Sequence, residues 1–253
     1  MSKIFPKATI ITVCYNSERT IADTINSVLS QSFEDFEIII IDGKSTDSTL
    51  EILSHFDDER ISILSENDDG IYDAMNKGLT LANGDIIGIL NSDDMFANEK
   101  VLSTVINKFK TSNADLVYAG ISYINKNKRF LANWLPLDFV QGSYKKGFHT
   151  PHPGFFVKRK IYTEYGNFDI SMKVAADFDL MLRFMENKNV RTEKLNEIVV
   201  LMRTGGSSAK FRNILIGLND IRKSLVKSGF KTNFFSYCFY RYSSKVRQLR
   251  RLL

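Results

Sequence analysis

Gly84-Asp85-Ile86-Ile87-Gly88-Ile89-Leu90-Asn91-Ser92-Asp93-Asp94 is a short apolar run that ends in two adjacent carboxylates. The run from Ile86 to Leu90 predicts a buried strand, because Asn83-Gly84 precedes it and polar turn residues follow it. Ligands bind at the carboxyl edge of the strands in open α/β sheets, and paired carboxylates there suit a divalent cation that also binds phosphate. A plain acidic turn is the alternative, since Asn, Ser and Asp are common turn residues.

Strands and helices alternate along the chain before this run. β-rich segments at 8–15, 38–41 and 61–64 are separated by helical patterns that begin near residues 17, 48 and 72. Ser17 is the expected N-cap of the first helix. This order predicts an α/β protein with a doubly wound, mostly parallel central sheet. No Gly-x-Gly-x-x-Gly follows the first strand and no Walker loop is present, which disfavours a dinucleotide-binding Rossmann domain.

The second half of the chain continues as a mixture of strands and helices. The patterns predict a helix over 100–110, a strand over 116–124, a hairpin turn at 125–129 with a return strand from 130, a strand over 155–157, a helix over 177–185, a strand over 199–202, a Gly-Gly loop at 203–208 and a helix over 211–226.

Composition excludes several classes of protein. The chain has 253 residues, of which 43% are hydrophobic and 25% charged, as in soluble globular proteins. Cys14 and Cys238 are far apart, so neither a disulfide framework nor a zinc site is expected, and a reducing compartment fits better. Residues 1–7 lack the apolar region of a secretory signal, and no run of 18 apolar residues predicts a transmembrane helix.

The net charge of +5 is concentrated at one end of the chain. Residues 221–253 contain nine Lys or Arg and no Asp or Glu, which leaves 25 basic and 29 acidic residues for the rest. The basic character therefore belongs to the tail. This distribution argues against a nucleic-acid groove across the main domain.

Five segments, taken in order, resemble the motifs of family 2 glycosyltransferases with a GT-A fold. They are Thr12-Val13-Cys14-Tyr15-Asn16, Asp42-Gly43-Lys44-Ser45-Thr46-Asp47, Gly70-Ile71-Tyr72-Asp73-Ala74-Met75-Asn76-Lys77-Gly78, Asn91-Ser92-Asp93-Asp94 and Ala176-Asp177-Phe178-Asp179-Leu180-Met181-Leu182-Arg183. The chain is most similar to bacterial enzymes that build O-antigen, capsule or exopolysaccharide. The resemblance implies a GT-A catalytic domain over 1–210, with a nucleotide-binding half (1–95) and an acceptor-binding half (96–210), followed by a C-terminal helical basic tail (211–253).

The resemblance implies roles for three acids. Asp94 matches the family's metal ligand, which would hold Mn²⁺ or Mg²⁺ against the leaving nucleotide diphosphate. Asp93 would lie beside the ribose or the metal's water shell. Asp177 matches the catalytic base, which takes the proton of the acceptor hydroxyl in an inverting transfer. Some relatives carry an acid where this chain has Ala176, and a helix-capping carboxylate is the alternative role for Asp177.

Five further residues are candidates for the donor site. Tyr15 ends the first strand, where its ring could stack on a nucleobase or fill the core. Asp42 ends the second strand and could accept a hydrogen bond from the base, although many relatives have two acids where this chain has Asp42-Gly43. Asp69 and Lys77 flank the third helix and could touch the nucleotide or form a solvated helix end. Arg203 opens a loop that could fold over the diphosphate or stay flexible.

Three residues are weaker candidates for the acceptor side. His149 and His152 lie in a Pro-rich loop and have no Cys or Glu at metal-ligand spacing, so an acceptor contact or a structural role is expected. Asp179 is expected to be either structural or an acceptor contact. Arg183 follows it at the i+4 spacing that suits an ion pair.

The tail combines aromatic and basic side chains. Its aromatic residues are Phe230, Phe234, Phe235, Tyr237, Phe239, Tyr240 and Tyr242. Such a mixture suits the headgroup region of an anionic inner membrane, whereas a helix packed on the main domain with a solvated basic face is the alternative. The first hypothesis predicts a cytoplasmic protein, peripheral on the inner face of the bacterial cell membrane.

The resemblance thus implies a metal-dependent, inverting transfer of a hexose, from UDP-Glc or UDP-Gal, to an undecaprenyl-diphosphate-linked glycan. No residue decides glucose against galactose. A sugar nucleotidyltransferase is disfavoured, because the first loop, Cys14-Tyr15-Asn16-Ser17, has neither glycine nor charge with which to hold a triphosphate. A non-catalytic sugar-nucleotide-binding protein is the other alternative, and the presence of both Asp94 and Asp177 argues against it.

Overall fold

The computed structural model describes residues 7–205, 211–230 and 237–243. Within these ranges the regular elements are β1 Ala8–Cys14, α1 Ile21–Leu29, β2 Phe36–Asp42, α2 Thr49–Ser54, β3 Ile61–Ser65, α3 Ile71–Leu81, β4 Ile86–Ile89, β5 Met95–Phe96, α4 Val101–Ser112, β6 Leu116–Ile124, β7 Phe130–Trp134, β8 Phe155–Lys158, α5 Arg159–Tyr165, α6 Ala176–Met185, β9 Thr192–Arg203 and α7 Phe211–Lys227. Residues 237–243 form a further helix.

One sheet runs through the molecule in the order β3-β2-β1-β4-β8-β6-β9-β5, and β7 pairs with β6. The first four strands in this order are parallel, with Ile10 opposite Ile38 on one side and Gly88 on the other. β8 then joins β4 in the antiparallel sense. β6 and β9 are parallel to each other. The predicted α/β, doubly wound fold class is confirmed.

Alternating isoleucines explain why both faces of the sheet are covered. In β2, Ile38 and Ile40 face one core, which also contains side chains of α1, α2 and α4. Ile39 and Ile41 face the other core, which contains side chains of α3, α6 and α7. Successive side chains of a strand point to opposite faces, so an unbroken run of isoleucines needs apolar packing on both.

The prediction for the start of α1 was wrong. Thr20, and not Ser17, occupies the N-cap position, and its side chain makes no capping bond. The Ser17 carbonyl oxygen accepts the backbone N–H groups of Thr20 and Ile21, both at 3.0 Å. The Ser17 hydroxyl lies instead 2.8 Å from that of Ser92, so it joins the turn after β1 to the turn after β4.

The described part of the tail packs on the main domain. Ile221 and Leu225 of α7, and Tyr237 beyond it, are buried in the same core as α6. Phe239 and Tyr242 are exposed, and Phe234 and Phe235 lie outside the described residues. No helix in the described ranges combines the length and the apolar character needed to cross a bilayer.

Candidate active site

The carboxyl ends of β1, β2, β3 and β4 lie along one edge of the sheet, and a polar turn follows each of them. β8 runs antiparallel to β4, so the short 3₁₀ helix His152–Gly154 before β8 reaches the same edge. Tyr72, at the start of α3, brings the amino end of α6 here, because its hydroxyl bonds to the Val174 carbonyl oxygen and to Asp177. We call this rim the acidic edge, defined by the turns at 15–17, 43–47, 66–70 and 91–94 and by Asp177.

Asp94 is buried at the acidic edge, with only 1% of the residue exposed. Its Oδ1 accepts the backbone N–H of Arg203 at 3.2 Å, whereas its Oδ2 has no hydrogen-bond partner in the described part of the chain. Burial, followed by the neighbouring Asp93, raises the pKa of Asp94 well above its usual value, and Arg203 and Asn91 oppose the shift. Burial also raises the pKa of Asp93. Both carboxylates would therefore be stabilised by a cation.

Asp93 and Asp94 can bind a divalent cation, but these two side chains do not complete its coordination. No cluster of three or more His, Cys, Asp or Glu that could hold a metal occurs among the residues that the structure describes. A cation at Asp94 would therefore need further oxygens from a bound diphosphate and from water, which is how Mg²⁺ is commonly held. The unpartnered Oδ2 of Asp94 is the observation that favours such a ligand.

Arg203 is the last residue of β9, although the Gly-Gly loop was predicted to begin with it. Its buried guanidinium donates to the Asp93 carbonyl oxygen at 2.9 Å and pairs with Asp23 at 2.5 Å. Lys128 of the hairpin turn pairs with the same carboxylate at 2.9 Å. Burial raises the pKa of Asp23, but hydrogen bonds and charges of Lys128 and Arg203 outweigh it, so the pKa is lowered. Arg203 thus fixes the acidic turn. Its contact with a diphosphate stays a prediction.

The turns after β1, β2 and β3 come together beside Tyr15, and we call the surface between them the cleft. Tyr15 is 62% exposed there, although it follows a fully buried strand. Asp42 is fully buried, and it accepts hydrogen bonds from Ser45 and Ser65. Both carboxylate oxygens are therefore occupied within the protein, and the contact of Asp42 with a base stays a prediction.

Asp68 takes the space that a second acid after Asp42 would need. A Cβ added at Gly43 would meet the Asp68 carboxylate at 2.5 Å and the Tyr15 ring at 3.6 Å. Asp68 Oδ1 accepts the backbone N–H of Gly70 at 2.8 Å, which fixes the side chain beside Tyr15. Asp69, and not the adjacent Asp68, was the predicted candidate, because a sequence does not tell which acid of a turn faces the cleft.

The turns of this cleft are tied to each other. Asn16 and Lys44 both adopt left-handed backbone conformations, with φ of 51° and 61°. Asn16 Oδ1 accepts the backbone N–H of Thr46 at 2.8 Å, and the Asn16 N–H donates to the Ser45 hydroxyl at 2.8 Å. Non-glycine residues hold such conformations only where their surroundings fix them, and they cluster at binding sites.

Asp69 and Lys77 lie at the outer side of this cleft. Asp69 is exposed, and its backbone N–H donates to Asp73 at 3.2 Å. The Lys77 ammonium bonds to the Asn67 carbonyl oxygen at 2.5 Å and pairs with Glu66 at 2.9 Å, so it stabilises the turn and the start of α3. Nucleotide contacts for Asp69 and Lys77 stay predictions.

Asp177 is partly exposed in the first turn of α6. Its Oδ1 accepts the backbone N–H of Phe178 at 2.8 Å and lies 3.3 Å from the Tyr72 hydroxyl. His152 lies close enough to feel its charge: burial lowers the pKa of His152, and Asp177 opposes that shift. A carboxylate with a neutral imidazole and a phenol beside it can accept a proton from a bound hydroxyl.

Two of the weaker acceptor candidates, Asp179 and His149, make contacts within the protein. Asp179 is 1% exposed and pairs with Arg183 at 2.8 Å, which confirms the predicted ion pair and leaves no face of Asp179 for an acceptor. The ring of His149 packs between Trp134 and Phe178, with centroids at 5.4 and 5.8 Å. Its setting is aromatic, and an acceptor contact for His149 stays a prediction.

Residues 9–166 match the family model described as glycosyl transferase family 2. The chain belongs to this family. It is 30% identical over 200 residues to a "PGL/p-HBAD biosynthesis glycosyltransferase" of Mycobacterium bovis, and the match covers 77% of this chain and 75% of the relative.

Two solved structures show that the fold of this family 2 glycosyltransferase is shared with distant proteins. S. aureus TarS 1–349 in complex with UDP-GlcNAc has a TM-score of 0.70 at 18% identity, over 87% of this chain and 66% of that chain. The mannosyltransferase PcManGT from Pyrobaculum calidifontis, in complex with GDP-Man and Mn²⁺, has a TM-score of 0.67 at 14% identity, over 96% and 72%.

A separate cavity of about 540 Å³ lies at the opposite edge of the transferase's sheet, beside the amino end of β4. Lysines line it, but Lys7 pairs with Asp85 at 2.6 Å, and Lys158 and Lys160 both pair with Asp115. The cavity is thus away from the acidic edge, and much of its positive charge is compensated. The acidic edge is therefore the candidate active site.

Proposed function

We propose that this family 2 glycosyltransferase moves a hexose from a nucleotide-diphosphate sugar, UDP-Glc or UDP-Gal, to a lipid-linked glycan, with inversion at the anomeric carbon. The observation that carries the proposal is that Asp94, in the turn after β4, and Asp177, bound to Tyr72 at the start of α3, lie at the same edge of the sheet, although 82 residues lie between them in the sequence. A leaving group and a nucleophile must meet on opposite sides of one carbon. The acidic edge offers a carboxylate for each.

The nucleotide binds in the cleft beside Tyr15. Its base stacks on the exposed ring, and Asp68 accepts a hydrogen bond from the base in place of the second acid that Gly43 lacks. Residues 1–95 would thus form the nucleotide-binding half and 96–210 the acceptor-binding half. The complex of TarS with UDP-GlcNAc supports a uridine nucleotide as the donor.

Asp94 would hold a divalent cation, Mn²⁺ or Mg²⁺, which supplies positive charge against the departing diphosphate. The complex of PcManGT with Mn²⁺ supports this assignment. Asp93 would lie beside the ribose or the metal's water shell. Arg203 keeps both carboxylates in place through its bonds to the Asp93 carbonyl oxygen and to Asp94.

Asp177 acts as the base. The acceptor oxygen forms a bond to the anomeric carbon while the bond from that carbon to the diphosphate oxygen breaks. The proton of the acceptor hydroxyl passes to the Asp177 carboxylate, and the electron pair of the broken bond leaves with the nucleoside diphosphate. Burial lowers the pKa of His152, which favours the neutral imidazole beside this carboxylate.

The acceptor is a saccharide on a lipid carrier, such as undecaprenyl diphosphate, in bacterial surface polysaccharide biosynthesis. The resemblance of the five sequence motifs to those of O-antigen and capsule enzymes supports this. Exposed Arg222 and Lys223 on α7, and exposed Phe239 and Tyr242, support a peripheral position on the cytoplasmic face of the cell membrane.

The test is transfer from UDP-hexoses to a lipid-linked acceptor, with the donor first found by thermal shift against several nucleotide sugars, each with and without Mn²⁺. We expect Asp94→Ala to abolish transfer, and Asp177→Asn to do so while donor binding is kept. Full activity of Asp177→Asn would overturn the base assignment. Release of pyrophosphate from a nucleoside triphosphate and a sugar phosphate would instead identify a nucleotidyltransferase.

A further inference from the structure

The loop at residues 169–175 leads directly into α6 and so sets the position of Asp177. We call it the base loop. α7 contacts it along its whole length. The contacts are an ion pair of Lys227 with Asp169 at 3.0 Å, a hydrogen bond of Ser224 to the Met172 sulfur at 3.5 Å, and the packing of Gly217 on Val174, where an added Cβ would lie 3.2 Å from the valine.

Asp220 is the buried polar group in this contact, with 3% of the residue exposed. One of its oxygens, Oδ2, accepts the backbone N–H of Val174 at 3.0 Å and that of Ala175 at 3.4 Å. Ala175 is the N-cap residue of α6 and has no side chain that could cap the helix. A buried carboxylate is costly unless it is hydrogen-bonded, so these two bonds fix the peptides just before Asp177.

Tyr72 holds the same peptide from the other side. Its hydroxyl donates to the Val174 carbonyl oxygen at 2.6 Å and makes a longer bond to Asp177 Oδ1 at 3.3 Å. Its ring stacks on Phe168 with centroids 5.6 Å apart, which fixes the direction of the hydroxyl. The N–H of Val174 is thus bound by α7 and its C=O by α3.

We propose that Asp220 and Tyr72 are positioning residues for Asp177, and that α7 is thereby required for the chemical step. The inference rests on the proposed role of Asp177 as the base. A base must lie within hydrogen-bond reach of the acceptor hydroxyl, and a misplacement of about 1 Å can cost on the order of 100-fold in rate. Residues that bind the backbone on both sides of Val174 prevent such a shift.

The experiment compares Asp220→Ala, Asp220→Asn and Tyr72→Phe in the full chain, with kcat measured at saturating donor and donor affinity measured by calorimetry. We expect Asp220→Ala and Tyr72→Phe to lower kcat by about 10- to 100-fold. Donor affinity should change less than about twofold, because neither residue lies in the nucleotide cleft. Asp220→Asn should restore most of the rate, since both amides bind one oxygen, which an amide carbonyl can replace.

Glu37→Ala is the matched control. Glu37 Oε1 also accepts two successive backbone N–H groups, those of Asn83 at 2.7 Å and Gly84 at 3.3 Å, but these lie before β4, at the opposite edge. It should lower thermal stability and leave kcat unchanged. If Asp220→Ala behaves like Glu37→Ala, or if Asp220→Asn is as slow as Asp220→Ala, the inference is wrong.

Two further results separate the possible failures. If Asp220→Ala does not fold, Tyr72→Phe tests the inference, because this variant keeps the stacked ring and removes only the hydroxyl. An unchanged kcat of Tyr72→Phe would then overturn the inference. A fully active Asp177→Asn enzyme would overturn the proposed role of Asp177 as the base. An inactive Asp177→Asn enzyme together with fully active Asp220→Ala and Tyr72→Phe would overturn only the positioning roles.

Discussion

At the scale of single residues, Asp94 combines a cost to folding with a benefit to binding. Its carboxyl group is buried beside Asp93, and both burial and the neighbouring acid disfavour its charged form. We therefore expect Asp94→Asn to raise the melting temperature of the metal-free protein while it abolishes transfer. Mn²⁺ with donor should raise the melting temperature of the wild type and not of the variant, because only a ligand that binds the folded state stabilises it.

The pH dependence of stability follows from the same carboxyl group. Burial and the neighbouring Asp93 raise the pKa of Asp94 in the folded protein well above its ordinary value, so the folded state holds a proton that the unfolded chain releases. The wild type should lose stability as the pH rises from about 4 through the raised pKa, and Asp94→Asn should lose less. Melting curves of both proteins from pH 4 to 8 without metal check this, and parallel curves would contradict it.

Tyr15 is the residue that should govern the affinity for the nucleotide. Its exposed ring contributes little to the core, and base–aromatic stacking is worth about 1–3 kcal/mol. We expect Tyr15→Ala to weaken binding of the nucleoside diphosphate by about tenfold, with no loss of thermal stability. Tyr15→Phe, which keeps the ring, should bind like the wild type in calorimetry. A stability loss with unchanged affinity would make Tyr15 a core residue.

At the scale of helices and strands, α6 carries two acids, Asp177 and Asp179, for which we expect different effects on stability and activity. Asp179 binds Arg183, whose guanidinium also donates to the Tyr165 carbonyl oxygen at 2.5 Å and the Asn167 carbonyl oxygen at 2.6 Å. We expect Asp179→Asn to destabilise the fold by about 1–3 kcal/mol in denaturant titrations, because it removes the carboxylate charge that balances Arg183. The KM for acceptor should not change. Asp177→Asn should show the opposite pattern, with stability kept and transfer lost.

Strands and helices with strong periodic patterns were predictable from the sequence. The unbroken isoleucines of β2 and the spacing of apolar residues in α4 each have one simple interpretation. β5, with only Met95 and Phe96, was missed because it is a strand through its pairing with Val200 and Leu201, which are distant in sequence. The seven-residue α5 was missed because it is too short to show a clear period.

The candidate site was predictable only where a motif names a residue. The acids at 93, 94 and 177 reach the acidic edge as their motifs indicated. The roles proposed for Asp68, Tyr72 and Asp220 were not predicted, because they rest on contacts with Gly43, Val174 and Ala175 that only the tertiary structure creates. Asp220 in particular looks like an ordinary acid of an amphipathic helix.

At the scale of the whole molecule, α7 contacts the base loop and also presents basic side chains at the surface. One side of α7 holds the base loop through Asp220, and other positions of the same helix, Arg222 and Lys223, are exposed and basic. Aromatic and basic side chains near the surface favour anionic bilayers, and each Lys or Arg adds about 1 kcal/mol to binding. A membrane bound by α7 would therefore hold the acidic edge at a fixed distance from a lipid-linked acceptor.

We therefore expect the full chain to sediment with vesicles that contain phosphatidylglycerol, and not with pure phosphatidylcholine, with binding weakened by salt. Reversing two charges, Arg222→Glu with Lys223→Glu, should release the protein while transfer to a water-soluble acceptor is kept. Lys100→Glu with Lys110→Glu, an equal change of charge at the two ends of the α4 segment on the opposite face of the sheet, is the control and should still bind. Equal loss of binding in both double variants would show that net charge, and not the surface of α7, attracts the protein.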